Sequence, residues 1–132
     1  MIYPYTALPG STRDFSRPLV DIAVGDASDL LFPCLVDTGA INSLMPTWLA
    51  DAGAISLRGS SRVGLGVGGI TTSARFVGVR MSIGDEAWEA DVGFCDDWPF
   101  AYGLLGHMSF FRYFEVKIRA FDSEFELSMT ER

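Results

Sequence analysis

The amino-acid sequence predicts a small all-β protein with one short helix near its C-terminus. Several short runs alternate apolar and polar residues with a period of two, which is the pattern of half-buried strands. Sequences rich in glycine and aspartate separate these runs and are typical of turns. The length of 132 residues and the hydrophobic fraction of 48% predict one domain with a modest core.

The first half of the chain predicts two strands and a helical turn. Residues 18–25 (PLVDIAVG) alternate and end in a turn at Gly25. Residues 30–36 (LLFPCLV) are nearly all apolar, which favours a strand buried on both faces. Residues 46–53 (PTWLADAG) predict a short helical turn with Pro46 as its first residue and Gly53 at its end.

Two hairpins are predicted in the middle of the chain. Residues 60–76 (SSRVGLGVGGITTSARF) contain four glycines within six positions, flanked by apolar and β-branched residues. This composition predicts a mobile hairpin with a glycine tip. Residues 77–84 (VGVRMSIG) and 88–94 (WEADVGF) predict a second strand pair around Gly84-Asp85.

The C-terminal third predicts a loop, a strand, the helix and a last hairpin. The loop is residues 96–100 (DDWPF), and residues 102–106 (YGLLG) predict a short buried strand. Residues 107–114 (HMSFFRYF) predict the short helix. Residues 114–120 (FEVKIRA) and 125–129 (FELSM) both alternate, and they predict a hairpin.

Composition argues against several classes of partner. The net charge is −7, with 17 acidic and 10 basic residues and no basic stripe, so we expect neither nucleic acid nor an anionic membrane as a partner. The first residues lack the basic and apolar segments of a secretory signal. No apolar run approaches the roughly 20 residues that a membrane-spanning helix needs. We therefore expect a cytoplasmic protein.

The two cysteines, Cys34 and Cys95, both fall in strand-like runs, and we interpret them as buried, reduced thiols. Their spacing is not that of metal ligands or of a disulfide framework. The only histidine is His107, which argues against a catalytic cysteine and against a zinc site. We expect no metal and no cofactor, and a structural role for His107.

The segment CLVDTGAINSLMP, residues 34–46, contains a single charged residue, Asp37. Sixty-five residues after Gly39 begins a second apolar-apolar-glycine sequence, Leu104-Leu105-Gly106, which precedes the predicted helix. The glycine hairpin lies between the two. This order resembles the retropepsin-like aspartic protease family over roughly residues 16 to 129. The resemblance implies a small closed β-barrel, with an N-terminal extension at 1–15 and the protease domain at 16–132.

The resemblance also implies the chemistry. Aspartic proteases use two carboxylates that share one proton, and a water held between them attacks the peptide bond. The chain has one Asp-Thr-Gly, and Asp51-Ala52-Gly53 lacks the hydroxyl and belongs to the predicted helical turn. The second carboxylate is therefore expected from a second copy of the chain, across a twofold axis. We expect a homodimeric endopeptidase that acts on a peptide or protein.

The family's site residues carry over to matching positions. Asp37 is the expected catalytic carboxylate, Thr38 would hold the two loops together across the axis, and Gly39 would let the substrate backbone approach. The glycine hairpin would form a flap over an extended peptide that pairs as an added strand. The expected substrate contacts are Ala40, Leu65, Gly66, Val67, Gly68, Gly69, Ile70, Leu104 and Leu105.

The chain departs from the retroviral pattern at two positions. Retroviral proteases carry an acidic residue after the Asp-Thr-Gly-Ala sequence that pairs with an arginine after the second glycine, where this chain has Ile41 and His107. The ion pair that braces the retroviral dimer is therefore missing. Two alternatives to the enzyme stay open: a catalytically silent domain of this fold that binds an extended peptide, and a β-barrel assembly module in which Asp37 only forms a turn. A further hypothesis is that Trp98 lines a pocket.

Overall fold

The computed structural model describes residues 1–10 and 15–130. Residues 11–14 of the predicted extension and residues 131–132 of the predicted domain lie outside the described part. The strands are β1 (Ile2–Pro4), β2 (Thr6–Ala7), β3 (Ser16–Arg17), β4 (Leu19–Val24), β5 (Phe32–Val36), β6 (Ser43–Pro46), β7 (Arg62–Val67), β8 (Ile70–Ile83), β9 (Glu86–Cys95), β10 (Gly103–Leu105), β11 (Phe114–Arg119) and β12 (Glu124–Met129). One α-helix, α1 (Thr47–Ala52), follows β6.

Six strands form a closed barrel, so the predicted all-β, barrel-like fold is confirmed. Their order is β4-β5-β10-β6-β9-β8, and β8 also pairs with β4, which closes the ring. The pairs β5–β10 and β6–β9 are parallel, and the other pairs in the barrel are antiparallel. Strand β7 pairs with β8 outside the ring.

Strand β8 joins the two central hairpins that the sequence predicts as separate units. Residues 70–75 of β8 pair with β7, and residues 74–83 pair with β9, so residues 74 and 75 have a partner on both sides. The strand is 14 residues long, and because it is continuous it carries the β7–β8 hairpin beyond the barrel. Gly84, with φ of +55°, forms the turn at the far end of β8.

The core fills the barrel with the apolar faces of its strands. Alternation in β4 buries Ile22 and Val24 completely while Asp21 stays exposed. The fully buried large side chains are Ile22, Met45, Leu49, Met81, Phe94, Leu105, Phe110 and Phe125. Trp88 packs edge-on against Phe114, with ring centroids 4.8 Å apart, and so joins β9 to the C-terminal hairpin.

The helical segments differ slightly from their predicted bounds. Pro46 ends β6 in an extended conformation and caps α1, so the first helical residue is Thr47 and not Pro46. The predicted C-terminal helix is a single π-helical turn, His107–Phe111, in which the Phe111 N–H bonds to the Gly106 carbonyl at 3.2 Å. Strand β11 follows at once because Phe114 is buried against the barrel.

A second, three-stranded sheet covers one side of the barrel in the order β1-β12-β11. The C-terminal hairpin predicted from alternation is β11–β12. Residues 2–4, ahead of the first strand predicted from the sequence, pair with β12, and Tyr3 stacks on Phe125 with ring centroids 5.4 Å apart. Across residues 1–10 and 15–130, none of the helices has the length and apolarity that crossing a membrane requires.

The two cysteines are free and buried, as the sequence predicts. Burial raises the pKa of the Cys95 thiol to about 11, with a smaller contribution from the charge of Asp96. Burial also raises the pKa of the Cys34 thiol. Since the thiolate is the nucleophile, both side chains are chemically protected in the folded protein.

We therefore expect slow reaction of the native protein with an aromatic disulfide reagent at about pH 8, close to the reference pKa of an exposed thiol, about 8.5. The released chromophore should stay well below one equivalent per chain, and denaturant should release two. Rapid release of one equivalent from the native protein would contradict the burial of these side chains.

Candidate active site

The Asp-Thr-Gly loop leaves the barrel at the carboxyl end of β5. Strand β5 runs parallel to β10, with Leu35 opposite Leu104 and Val36 opposite Leu105. The Asp37 N–H donates to the Leu105 carbonyl at 3.1 Å, so the pairing continues one residue into the loop. Parallel strands end at the same edge of a sheet, and this brings the two sequence motifs together.

The Asp37 carboxylate is held by its own loop. The Gly39 N–H donates to Asp37 Oδ1 at 2.9 Å, and the Ala40 N–H donates to the Asp37 carbonyl at 3.2 Å. A Cβ at position 39 would lie 3.3 Å from Asp37 Oδ1, so a side chain there would crowd the carboxylate. A turn-forming aspartate makes the same kind of local bond, so this contact alone does not separate the enzyme from the assembly module.

Residues 107 and 108, which follow β10, form hydrogen bonds with the other side of the loop. The His107 N–H donates to the Ala40 carbonyl at 3.0 Å, and the Met108 N–H donates to the Ile41 carbonyl at 2.9 Å. The His107 imidazole Nε2 lies 2.7 Å from the Thr38 carbonyl oxygen. These three bonds fix the exposed loop to the helical turn, although the two segments are nearly 70 residues apart in sequence.

Gly106 lies directly beneath the loop. A Cβ at this position would lie 2.5 Å from the Asn42 carbonyl oxygen and 2.8 Å from the Ala40 carbonyl oxygen. Both neighbours are backbone atoms, which cannot move aside as the end of a side chain can. The second glycine of the motif is therefore required by close backbone approach.

A buried pair of hydroxyls braces the same region, and sequence reasoning missed it. Ser43 Oγ accepts from the Gly106 N–H at 3.0 Å and from the Ser109 hydroxyl at 2.5 Å. The Ser109 carbonyl accepts from the Trp88 indole N–H at 2.8 Å. The available signal was a single serine immediately before the apolar run Leu44-Met45, where a polar residue buried in a strand needs a partner.

A cavity of about 340 Å³ lies between the loop and the β7–β8 hairpin. Its walls include most of the predicted site residues: Asp37, Gly39, Ala40, Leu65, Gly66, Val67, Gly68 and Leu104. Ile41, Asn42 and Leu44 also line it and were not predicted. The structure thus brings together three segments that are far apart in sequence, residues 37–44, residues 65–68 and Leu104.

Four of the predicted site residues do not line this cavity. Leu105 is fully buried in the core, where its carbonyl holds the Asp37 N–H. Thr38 is exposed on the outer side of the loop, with its carbonyl bonded to His107. Gly69 and Ile70 form the returning side of the hairpin tip and are not among the residues that line the cavity.

The hairpin tip depends on its glycines. Val67 pairs with Ile70, which leaves a two-residue turn at Gly68-Gly69 with φ of +56° and +82°. Two positive φ values in succession are the signature of a type I′ turn, which glycine adopts without strain. The predicted glycine-tipped hairpin is present, with Leu65 and Val67 half-buried and Gly66 exposed between them.

An aromatic loop stands beside this tip. Phe100 lies edge-on to Trp98 at 5.2 Å and stacks on Tyr102 at 5.3 Å, and the Trp98 indole N–H donates to the Tyr102 carbonyl at 2.8 Å. A Cβ at Gly68 would lie 3.8 Å from the Phe100 ring. Trp98 and Tyr102 pack on the apolar cluster at the edge of the cavity, together with Leu65 and Val67. Trp98 thus packs behind the cavity wall and is not among the residues that line this cavity, which does not support the hypothesis that it lines a pocket there.

The charge of Asp37 affects the pKa of Tyr102, a residue of the aromatic loop. Burial raises the pKa of the Tyr102 phenol and the negative charge of Asp37 raises it further, whereas Arg17 acts in the opposite direction. The phenol is therefore harder to ionise than an exposed tyrosine, and in its neutral form it can donate a hydrogen bond.

Comparison with known proteins gives the class of fold. No protein-family model and no curated protein matches the chain. A solved retropepsin-like aspartic protease from Rickettsia conorii matches with a TM-score of 0.61 and 16% identity, over 96% of this chain and 89% of that one. The EIAV protease complexed with the inhibitor HBY-793 matches with a TM-score of 0.52 and 19% identity, over 69% and 82%.

The protein has the retropepsin-like fold. The resemblance seen in the sequence is thereby confirmed at the level of the fold. At these identities the similarity establishes the architecture, and the chemistry has to be argued from the residues of this chain.

Gly106→Ala should destabilise the protein by at least about 3 kcal/mol, because its Cβ would collide with two backbone carbonyls. Chemical denaturation measures this loss. The matched control is Gly64→Ala, since a Cβ at Gly64 has no atom within 4 Å. Equal denaturation midpoints for the two variants would contradict the close packing beneath the loop.

Proposed function

We propose that the protein is a homodimeric aspartic endopeptidase in which Asp37 of two chains activates a water. The observation that carries this proposal is the position of Asp37, in the wall of a cavity beneath a glycine-tipped hairpin. A turn-forming aspartate has no need of a covered groove. The solved structures of similar fold are themselves proteases, which supports the general class of hydrolase.

The chemistry requires two carboxylates about 3 Å apart that share one proton. The ionised Asp37 takes a proton from the water, whose oxygen attacks the carbonyl carbon of the peptide. The protonated Asp37 of the other chain donates to the carbonyl oxygen. The first Asp37, which now carries the proton from the water, gives it to the leaving nitrogen as the C–N bond breaks. The second Asp37, now ionised, takes a proton from a hydroxyl of the tetrahedral intermediate, which becomes the product carboxylic acid. Both carboxyl groups are then in their starting state, and no acyl-enzyme forms.

One chain supplies only half of this site. Asp37 is the one carboxylate among the described residues that line the cavity. Asp51 of the second Asp-x-Gly sequence is exposed on α1 and does not line the cavity. The missing carboxylate is best supplied by a second Asp37, which places the twofold axis beside this loop.

The surface around the loop suits such an interface. Ile41 is 68% exposed and Met108 is 49% exposed, and a backbone hydrogen bond of 2.9 Å joins the two residues. Ile41 occupies the position at which retroviral proteases carry the acid of an ion pair. We propose that apolar contact replaces this ion pair between the two chains, because large exposed side chains of this kind gain most from burial.

The substrate is proposed to be an extended peptide, with the β7–β8 hairpin as the flap. Among the strands of the described residues, β7 pairs with β8 alone, so its outer edge presents backbone groups that a peptide strand could meet. Leu65 and Val67 face the cavity from this strand and would contact alternate side chains of the peptide. We keep the cytoplasm as the proposed compartment, since both thiols are free.

The first test is cleavage of a diverse peptide mixture at acidic and neutral pH, read by mass spectrometry. The wild type should cleave with a bell-shaped pH dependence and an acidic optimum, because one carboxyl group must be ionised and the other protonated. Asp37→Asn should retain the fold and lose cleavage. Sedimentation at the assay concentration shows whether the protein is dimeric.

The alternatives predict other outcomes of this test. A dimeric wild type that binds peptides without cleaving them would favour the silent binding domain. If Asp37→Asn changed neither peptide cleavage nor dimerisation, the assembly module would be favoured.

Dimerisation should depend on the apolar surface and not on salt. Ile41→Ser should raise the dimer dissociation constant at least about tenfold, because two copies of the side chain lose their burial. Raising NaCl from about 0.1 M to about 1 M, which shortens the screening length from about 10 Å to about 3 Å, should change it little. The control is Leu31→Ser: Leu31 is 55% exposed but precedes β5, at the opposite end of that strand from Asp37. Equal effects of the two substitutions would refute this interface.

A further inference from the structure

The His107 side chain makes one directed contact with the Asp37 loop. Its Nε2 lies 2.7 Å from the Thr38 carbonyl oxygen. A carbonyl oxygen can only accept, so Nε2 carries the proton and donates it. Two further contacts hold this residue in place. Its backbone N–H bonds to the Ala40 carbonyl, and its ring lies 5.0 Å from the ring of Phe111.

The same peptide unit also contacts the carboxylate. The Thr38 carbonyl and the Gly39 N–H belong to one planar trans peptide and point in opposite directions. The carbonyl oxygen accepts from His107, and the N–H donates to Asp37 Oδ1 at 2.9 Å. The Thr38–Gly39 peptide is therefore bonded to His107 on one edge and to the Asp37 carboxylate on the opposite edge.

We infer that His107 is a positioning residue for Asp37, acting through the Thr38–Gly39 peptide. By fixing the carbonyl it sets the direction of the N–H, and the N–H sets the orientation of the carboxylate. This role rests on the proposed function, since the orientation of the carboxylate matters only if two of them must meet around a water.

Little else in the described chain restrains this peptide. Thr38 and Gly39 are both exposed, and Gly39 has no side chain to pack. The Thr38 carbonyl could turn to water if His107 were lost, so the fold would survive and only the orientation would be released. The effect of His107 on the site is therefore separable from an effect on stability.

The bond persists over the pH range in which an aspartic dyad works. The neutral ring with its proton on Nε2 donates to the carbonyl, and so does the protonated ring. The donor and not the charge is what the site requires. Glutamine, whose amide nitrogen has a reach similar to that of Nε2, should replace histidine, whereas phenylalanine keeps the ring beside Phe111 but has no donor.

The test compares the wild type with His107→Phe and His107→Gln. For the Phe variant we expect kcat to fall on the order of tenfold, with KM nearly unchanged, and we expect the Gln variant to recover most of the loss. A residue with a merely structural role would give no such recovery. Failure of the Gln variant to recover kcat, or an unchanged kcat in the Phe variant, would overturn the inference.

A second measurement does not need activity. In ¹⁵N-labelled protein, the Gly39 amide proton should exchange faster with solvent in the Phe variant and return toward the wild-type rate in the Gln variant. The Val116 amide, in the β11–β12 hairpin, serves as the remote control. An unchanged Gly39 amide would overturn the inference. If the wild type cleaves no peptide, the proposed function fails, and the Gly39 amide alone then decides whether His107 holds this peptide.

Discussion

The site depends on the parallel pairing of β5 with β10, which continues past the end of the barrel. The Leu105 carbonyl holds the Asp37 N–H, and the next three residues hold the rest of the loop. Gly106 permits this because its backbone lies against the Ala40 and Asn42 carbonyls with no room for a side chain. An exposed loop thereby gains a rigid floor without being buried, which is what a reactive carboxylate needs if it is to stay accessible.

The cavity has a floor, formed by the Asp37 loop, and a roof, formed by the β7–β8 hairpin, and different interactions hold the two. The floor is held by hydrogen bonds to the barrel and by the buried Ser43–Ser109 pair. The roof is a two-stranded hairpin that turns on two glycines and projects beyond the closed ring. Its tip stands beside the aromatic loop, since a Cβ built at Gly68 would lie 3.8 Å from the Phe100 ring, an ordinary van der Waals distance. Under the proposed function, a floor held by hydrogen bonds and a roof formed by a projecting hairpin would suit a groove that admits and releases an extended chain.

The proposed twofold symmetry would account for the exposed apolar surface beside the Asp37 loop. A single chain offers one carboxylate to the cavity, and the loop that carries it is surrounded by exposed residues, among them Ile41. In an isolated chain this surface is a cost, because apolar area faces water. In a twofold dimer the same surface would bury its apolar area and bring the second carboxylate beside the first. The proposed interface and the proposed chemistry thus follow from the same few residues.

The sequence by itself determined the all-β class, the glycine hairpin, the C-terminal hairpin and the pairing of Asp37-Thr38-Gly39 with Leu104-Leu105-Gly106 as one motif. The class and the two hairpins are local features, since alternation and turn residues act over a few positions, whereas the two parts of the motif were joined by the resemblance to a known family. Only the tertiary structure decided that Leu105 packs in the core and does not line the cavity, that Ser43 and Ser109 share a hydrogen bond, and that His107 holds the Thr38 carbonyl. Those contacts join segments more than 60 residues apart, and they depend on how strands β5, β6 and β10 meet, which no local pattern records.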